Sequence, residues 1–420
     1  MNILIKKARI VDPASPFNGQ VADILVSKGI ISSIAKNLKA KAHKTIELEG
    51  LHVSPGWMDI FADFADPGYE HRETLESGAA AAAAGGFTDV CVIPNTRPAL
   101  DQKSVVEYVL QKTKYLPVNV HPLGCITRSA EGKELAEMYD MKMSGALAFT
   151  DGRNPLQSAG VLVKALQYVK SFNGVIIQVP DDKSISPFGL MTEGITSTQL
   201  GLPGRPEIAE EVQVARDLKL VEYAESQIHL TGISTQQSIK LIKEAKGKKT
   251  GVTCSATPYH LFFCDEDLTT YDTNLKVNPP LRSPKDRKAL QKAVTDGIID
   301  CIASHHFPYE ADSKVVEFEY AKNGMIGLQT AYAVVNTALE GIPQEKLVEL
   351  FAINPRKILG LSAPSLNEGA KATITLFDPK QKWVLQKKDL KSLSANSPFI
   401  GIELTGKPIG IINNEQIIIN

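Results

Sequence analysis

The chain has no long apolar run, no excess charge of one sign and no paired-cysteine motif, and each absence removes a class of function. Without a stretch of about 18 apolar residues, nothing in it is built to cross a bilayer as a helix. The N-terminus, MNILIKKARIVDPASP, lacks the charged-then-apolar pattern of a secretory signal. Lys and Arg number 46 against 47 Asp and Glu, so no broad field draws nucleic acid or an anionic membrane. The five cysteines (Cys91, Cys125, Cys254, Cys264 and Cys301) form no C-x-x-C pair and sit mostly in apolar, strand-like runs. They read as buried, reduced thiols of a soluble cytoplasmic protein.

What is present is the composition of a globular chain, 43% hydrophobic and 22% charged. At 420 residues it exceeds what one ordinary core holds, which suggests a large barrel-type domain with a small companion. From about residue 52 a period repeats: a β-branched strand, a turn, then an amphipathic helix. The strand segments are WMDIFADF, TDVCVIPN, VNVHPLGCI, GALAFTD, GVIIQVP, QIHLTGIS, TGVTCSATP and IIDCIASHH. Helical segments such as SVVEYVLQKTK and VLVKALQYVKSF alternate with them, and the alanine-rich run at 79–84 reads as a helix packed closely on a sheet. Eight such units predict a (β/α)8 barrel over residues 52–351, with a long excursion at 260–297 before the last strand. Residues 1–51 and 352–420 are rich in strands and turns, and neither end holds enough apolar residues for its own core. They are expected to pair as one composite β-domain of sandwich type.

In a barrel enzyme the chemistry sits where the strands end. On the first strand Phe61, Asp63 and Ala65 share the inward face by alternation. Asp63 can be a ligand or a structural carboxylate bonded to nearby backbone. Asn95 ends strand two, either as a polar ligand or as a turn residue capping the next helix. Asp151 ends strand four and Gln178 strand five; strand six carries His229 and then Gly232. Strand eight ends in His305–His306, which point to opposite sides, so one of them faces the mouth. Asp63, Asp151 and one of these histidines would be the material for a single zinc with an open position. A two-metal site needs more ligands than the strand ends supply.

The segments PGYEHRET, GGFTDVCVIPNT, AFTDG, LGLPGRP, TPYHLFFCDEDL, NPPLRS, GMIGLQTA and SPFIGIELTGK resemble the dihydroorotases of the amidohydrolase superfamily, nearly end to end. The resemblance implies a metal-hydrolase TIM barrel with a composite β-domain, and zinc chemistry on dihydroorotate or carbamoyl-aspartate in pyrimidine biosynthesis. That chemistry uses an H-x-H-x-R strand, further ligands on strands four, five and six, and an Asp base on strand eight. Carried onto this chain, the histidine positions are Phe61 and Asp63, and the arginine position is Ala65. The strand-five ligand is Gln178, the strand-six ligand Gly232, and His305 stands where the base should be. Tyr309 stands for a substrate-contacting His; Asp151 matches as it is, as do the substrate contacts Asn95 and Asn278. Phe61 would put an apolar ring at the metal position, and Ala65 removes the guanidinium fork for the substrate carboxylate. His305 remains titratable, but no metal-bound water is left for it to activate. The expectation is a non-catalytic homologue with no resident cofactor, zinc entering only if Asp63, Asp151 and His305 rebuild a one-metal site. As the partner the resemblance implies aspartate transcarbamoylase, in a homodimer or mixed oligomer. A third reading is a binding module that holds dihydroorotate through Asn95 and Asn278.

Overall fold

The computed structural model describes residues 2–420. Parallel strands covered on both faces need side chains that are apolar on both, and the first two barrel strands, Trp57–Ala62 and Phe87–Val92, are buried at every residue. With Asn119–Pro122 they form a three-stranded parallel sheet. A second parallel sheet orders Ile176–Gln178, Ile228–Thr231, Val252–Ala256 and Cys301–Ile302. Single-residue bridges join the two. Phe149 pairs with both Gly124 and Ile176, and Ala62 pairs with His306. Eight parallel segments thus follow one another in barrel order, with regular ladders confined to the two sheets. All eight coincide with the strand segments read from the sequence.

Helices alternate with them. Leu75–Ala84 is started by a capping box in which Thr74 and Ser77 satisfy each other's backbone amides, and Gly78 lets it lie directly on the Phe64 ring. Lys103–Thr113, Ala159–Lys170, Ile208–Ala224 and Gln236–Gly247 follow the predicted segments. The excursion expected over 260–297 is shorter. Ser283 caps a regular helix, Pro284–Thr295, so only residues 263–282 are irregular, and they contain short 3-10 turns. No helix of the described residues is long and apolar enough to cross a membrane.

The two chain ends share one eight-stranded sheet. Asn2–Ile10 pairs with Val21–Ser27, Lys44–Glu47 and His52–Pro55, and His52–Pro55 pairs antiparallel with Ile374–Val384. Ile3, Ile5, Ile24, Val53, Ile374, Leu376 and Ile412 make its common aliphatic core, to which neither end would suffice alone. Helix Asn354–Ile358 stays with the barrel. Leu359 packs with Met58 and Ile60, and Arg356 donates to Gly56 O, Ala352 O and Asp89 beneath it, so the barrel unit extends past residue 352. Residues 392–397 also leave the β-domain and cross to the mouth. Ser392 and the Leu393 amide bond Glu73, Ser394 bonds Arg72 O, and Asn396 bonds Phe307 O and Gly324 O.

Candidate functional site

Asp63 lies just past the first strand, fully buried. Its Oδ1 accepts from the Ala65 amide at 2.7 Å, as a structural carboxylate would. Its Oδ2 receives two guanidiniums, Arg153 Nη2 and Arg72 Nη2, the latter at 3.5 Å. Arg153 also donates to the Tyr309 hydroxyl, and its guanidinium carbon sits 4.5 Å from the Phe307 ring centre and 5.1 Å from that of Tyr309. Burial opposes the Arg153 charge, but Asp63 and Tyr309 outweigh it and raise the guanidinium above its ordinary value. Arg72 stacks on Tyr69 at 4.6 Å.

Asp151 does not face this cluster with a free oxygen. Its Oδ1 accepts from the amides of Ile126 and Thr127, both at 2.9 Å, and its Oδ2 from the Thr127 hydroxyl. Burial pushes its carboxyl up to about 6 against these donors. Asn95 does not cap the next helix, which starts after Gln102. It ties the second strand end to the fourth, donating to Asp151 O and accepting from the Arg153 amide at 3.0 Å each. Gln178 reaches Leu156 O, at 3.5 Å. Asn278 accepts from Arg205 at 2.8 Å and faces Asp181 at 3.4 Å.

His305 and His306 do diverge. The His306 Nδ1 accepts from the Gly327 amide, which leaves Nε2 to donate to Glu73, 3.3 Å away. Burial alone would raise Glu73, yet the bonds from His306, Ser392 and Ser77 hold it below the usual range. His305 turns inward, its ring 4.7 Å from that of Phe61. Its Nε2 is hydrogen-bonded to the Thr231 hydroxyl at 2.8 Å, which also accepts from Ser255 at 2.8 Å, while its other ring nitrogen is Nδ1. That Nδ1 is buried without a partner. Burial, then the fields of His260 and His229, push the His305 imidazole down to about 3. The expected group titrating near neutrality is therefore a neutral imidazole at physiological pH, and it makes no strong base.

The remaining candidates for one zinc are thus held apart. Asp63 is committed to arginines, Asp151 to backbone and a hydroxyl, and His305 Nε2 to Thr231. Among the described residues no three His, Cys, Asp or Glu side chains assemble as metal ligands. With every candidate oxygen and nitrogen committed within the protein or without a second ligand beside it, the residues present do not fit the family's zinc. Arg72 and Arg153 were not singled out by the sequence reading. The available signal was their position: each follows a strand end, in EHRET and TDGRNP, in a chain with alanine at position 65.

Strand ends gathered into a polar mouth beside a β-domain made from both termini define an amidohydrolase-type barrel, and solved structures agree. The chain overlays along 100% of its length on L-hydantoinase (dihydropyrimidinase) from Arthrobacter aurescens, covering 96% of that chain with a TM-score of 0.85 at 23% identity. A D-hydantoinase structure matches with a TM-score of 0.84 at 20% identity, covering 100% of this chain and 95% of that one. These neighbours imply a TIM barrel with a β-sandwich domain. A Dihydro-orotase-like family model matches residues 50–238. The dihydroorotase of Syntrophus aciditrophicus is 39% identical, covering 100% of this chain and 99% of that protein. That of Geotalea daltonii is 41% identical, covering 97% and 96%. The chain belongs to the dihydroorotase family.

Proposed function

We propose that this member of the pyrimidine-biosynthetic dihydroorotase family does not turn over dihydroorotate and has a structural or regulatory role, with aspartate transcarbamoylase as its partner. The observation that carries the reading is the Arg153–Asp63–Arg72 cluster, which commits the one carboxylate among the three H-x-H-x-R positions. Ring hydrolysis needs an activated water and a base. Here the base position is a neutral imidazole and the ligand positions are Phe61, Gln178 and Gly232. The partner rests on the family resemblance, and a cytoplasmic location fits five free, buried thiols. Metal analysis and turnover on the purified chain test the reading. We expect substoichiometric zinc, no dihydroorotate hydrolysis, and co-purification with a transcarbamoylase. Stoichiometric zinc with a rate abolished by Asp151→Ala would establish a rebuilt one-metal hydrolase instead.

A further inference from the structure

At the mouth two guanidinium groups meet one carboxylate oxygen. Asp63 Oδ2 takes Arg72 and Arg153 together, because Oδ1 already holds the Ala65 amide. Glu310, farther out, faces His71 at 3.9 Å, and its field also reaches Arg72. The Nε–H of both arginines is buried with no acceptor in the protein. A guanidinium carries five N–H donors, and protein groups engage two on Arg153 and one on Arg72. Donor capacity is therefore concentrated on these two side chains. Asn95 and Asn278, expected to hold a ligand, have oxygen and nitrogen both committed within the protein.

The geometry also sets the ligand's shape. The Tyr309 ring lies 5.4 Å from the Arg72 guanidinium and 5.1 Å from that of Arg153, while Tyr69 and Phe307 back them at 4.6 and 4.5 Å. Stacking on rings fixes the guanidinium planes and leaves their edges to hydrogen-bond, and such an edge matches a planar carboxylate in bidentate fashion. The side chains of Arg72 and Arg153 are 11% and 22% exposed and that of Asp63 is 0% exposed, so an arriving solute meets the cations first.

We propose that the mouth is a metal-independent receptor for a small carboxylate anion, gripped by Arg153 and Arg72 against Tyr309 in competition with the internal carboxylate of Asp63. The proposal deepens the non-catalytic reading and rests on it, since it gives a regulatory protein its ligand. The aromatic walls and the net single positive charge of two guanidiniums on one carboxylate favour a planar carboxylate over a phosphate dianion.

The test is calorimetric titration of the full chain, dialysed against chelator, with dihydroorotate, carbamoyl-aspartate and inorganic phosphate. A carboxylate should bind without zinc. Arg153→Gln should weaken it by about tenfold or more, the scale of a charge-assisted hydrogen bond. Asp63→Asn, which removes the internal competitor, should tighten it. Circular dichroism establishes that each variant is folded. Absence of carboxylate binding in both the wild-type and Asp63→Asn chains would overturn the receptor, as would phosphate binding as tightly as carboxylate. Unchanged affinity in folded Arg153→Gln would overturn it as well. A turnover assay on the same sample with added zinc separates the two ideas. Turnover removes the non-catalytic reading and leaves the zinc-free titration to decide the receptor; no turnover and no binding removes the receptor alone.

Discussion

Gly232 has a φ of +76°, and a Cβ built on it would come within 2.9 Å of His305 Cε1. The ends of strands six and eight are thus coupled here: the His305 imidazole occupies room that a side chain at 232 would need. His305 itself has a φ of +45°, uncommon for a residue with a Cβ, and the stack on Phe61 and the Thr231 bond hold it there. A histidine placed at 232 would therefore strain the mouth. A second residue-scale consequence concerns pH. Asp217 is fully buried, bonded to Arg216 at 2.8 Å through one oxygen while the other has no partner, and burial pushes it up to about 7. A folded-state value above the unfolded one means that this group favours folding at low pH and that the contribution is lost as pH rises toward 7. The limit is about 1.4 kcal/mol per pH unit. Asp217→Asn should gain stability relative to the wild type at pH 8 compared with pH 5, measured by urea denaturation; equal differences at both pH values would refute the assignment.

Among the elements, helix Leu75–Ala84 shows packing overriding propensity. Alanine at an interior helical position is ordinarily better than glycine by roughly 0.5–1 kcal/mol. At Gly78, however, a Cβ would sit 2.5 Å from the Phe64 ring, closer than contact permits, and the ring is 1% exposed with no room to withdraw. Overpacking of this kind costs typically about 1–3 kcal/mol. Gly78→Ala should therefore destabilise by about 1 kcal/mol net, read from the urea midpoint at unchanged slope; a stabilised variant would show that the helix can shift away from the strand. The same closeness explains the alanine run: small side chains let this helix approach the first barrel strand and Phe64 just past its end.

For the molecule as a whole, the junction between barrel and β-domain is one residue long. His52–Pro55 belongs to the terminal sheet and Trp57–Ala62 to the barrel, with only Gly56 between them. Gly56 is bonded from both sides, its amide to Thr373 O and its carbonyl from Arg356, and a Cβ there would strike Thr88 at 2.2 Å. Trp57 packs on Tyr332, Phe351 and Phe377, which come from both units. Strands joined so tightly cannot melt independently. Far-UV circular dichroism and tryptophan fluorescence, from Trp57 at the junction and Trp383 in the β-domain, should report one coincident thermal transition. Two separated transitions would mean that the units are stable apart.

The sequence by itself determined the eight strand segments, the pairing of both termini into one β-domain and the family. Each depends on local signals: β-branched runs between turns, helical periodicity, and motif stretches such as PGYEHRET and NPPLRS. Alternation along the last strand also set the opposed directions of His305 and His306. Only the tertiary structure decided what fills the mouth. Arg72 and Arg153 are 81 positions apart in number and meet on one oxygen of Asp63, and no periodicity announces such a meeting. The protonation of His305 was equally out of reach, because it depends on burial and on the fields of His260 and His229, brought close by other elements of the barrel. Which residues line a strand end follows from alternation; which charges they find there follows from how the whole barrel brings its loops together.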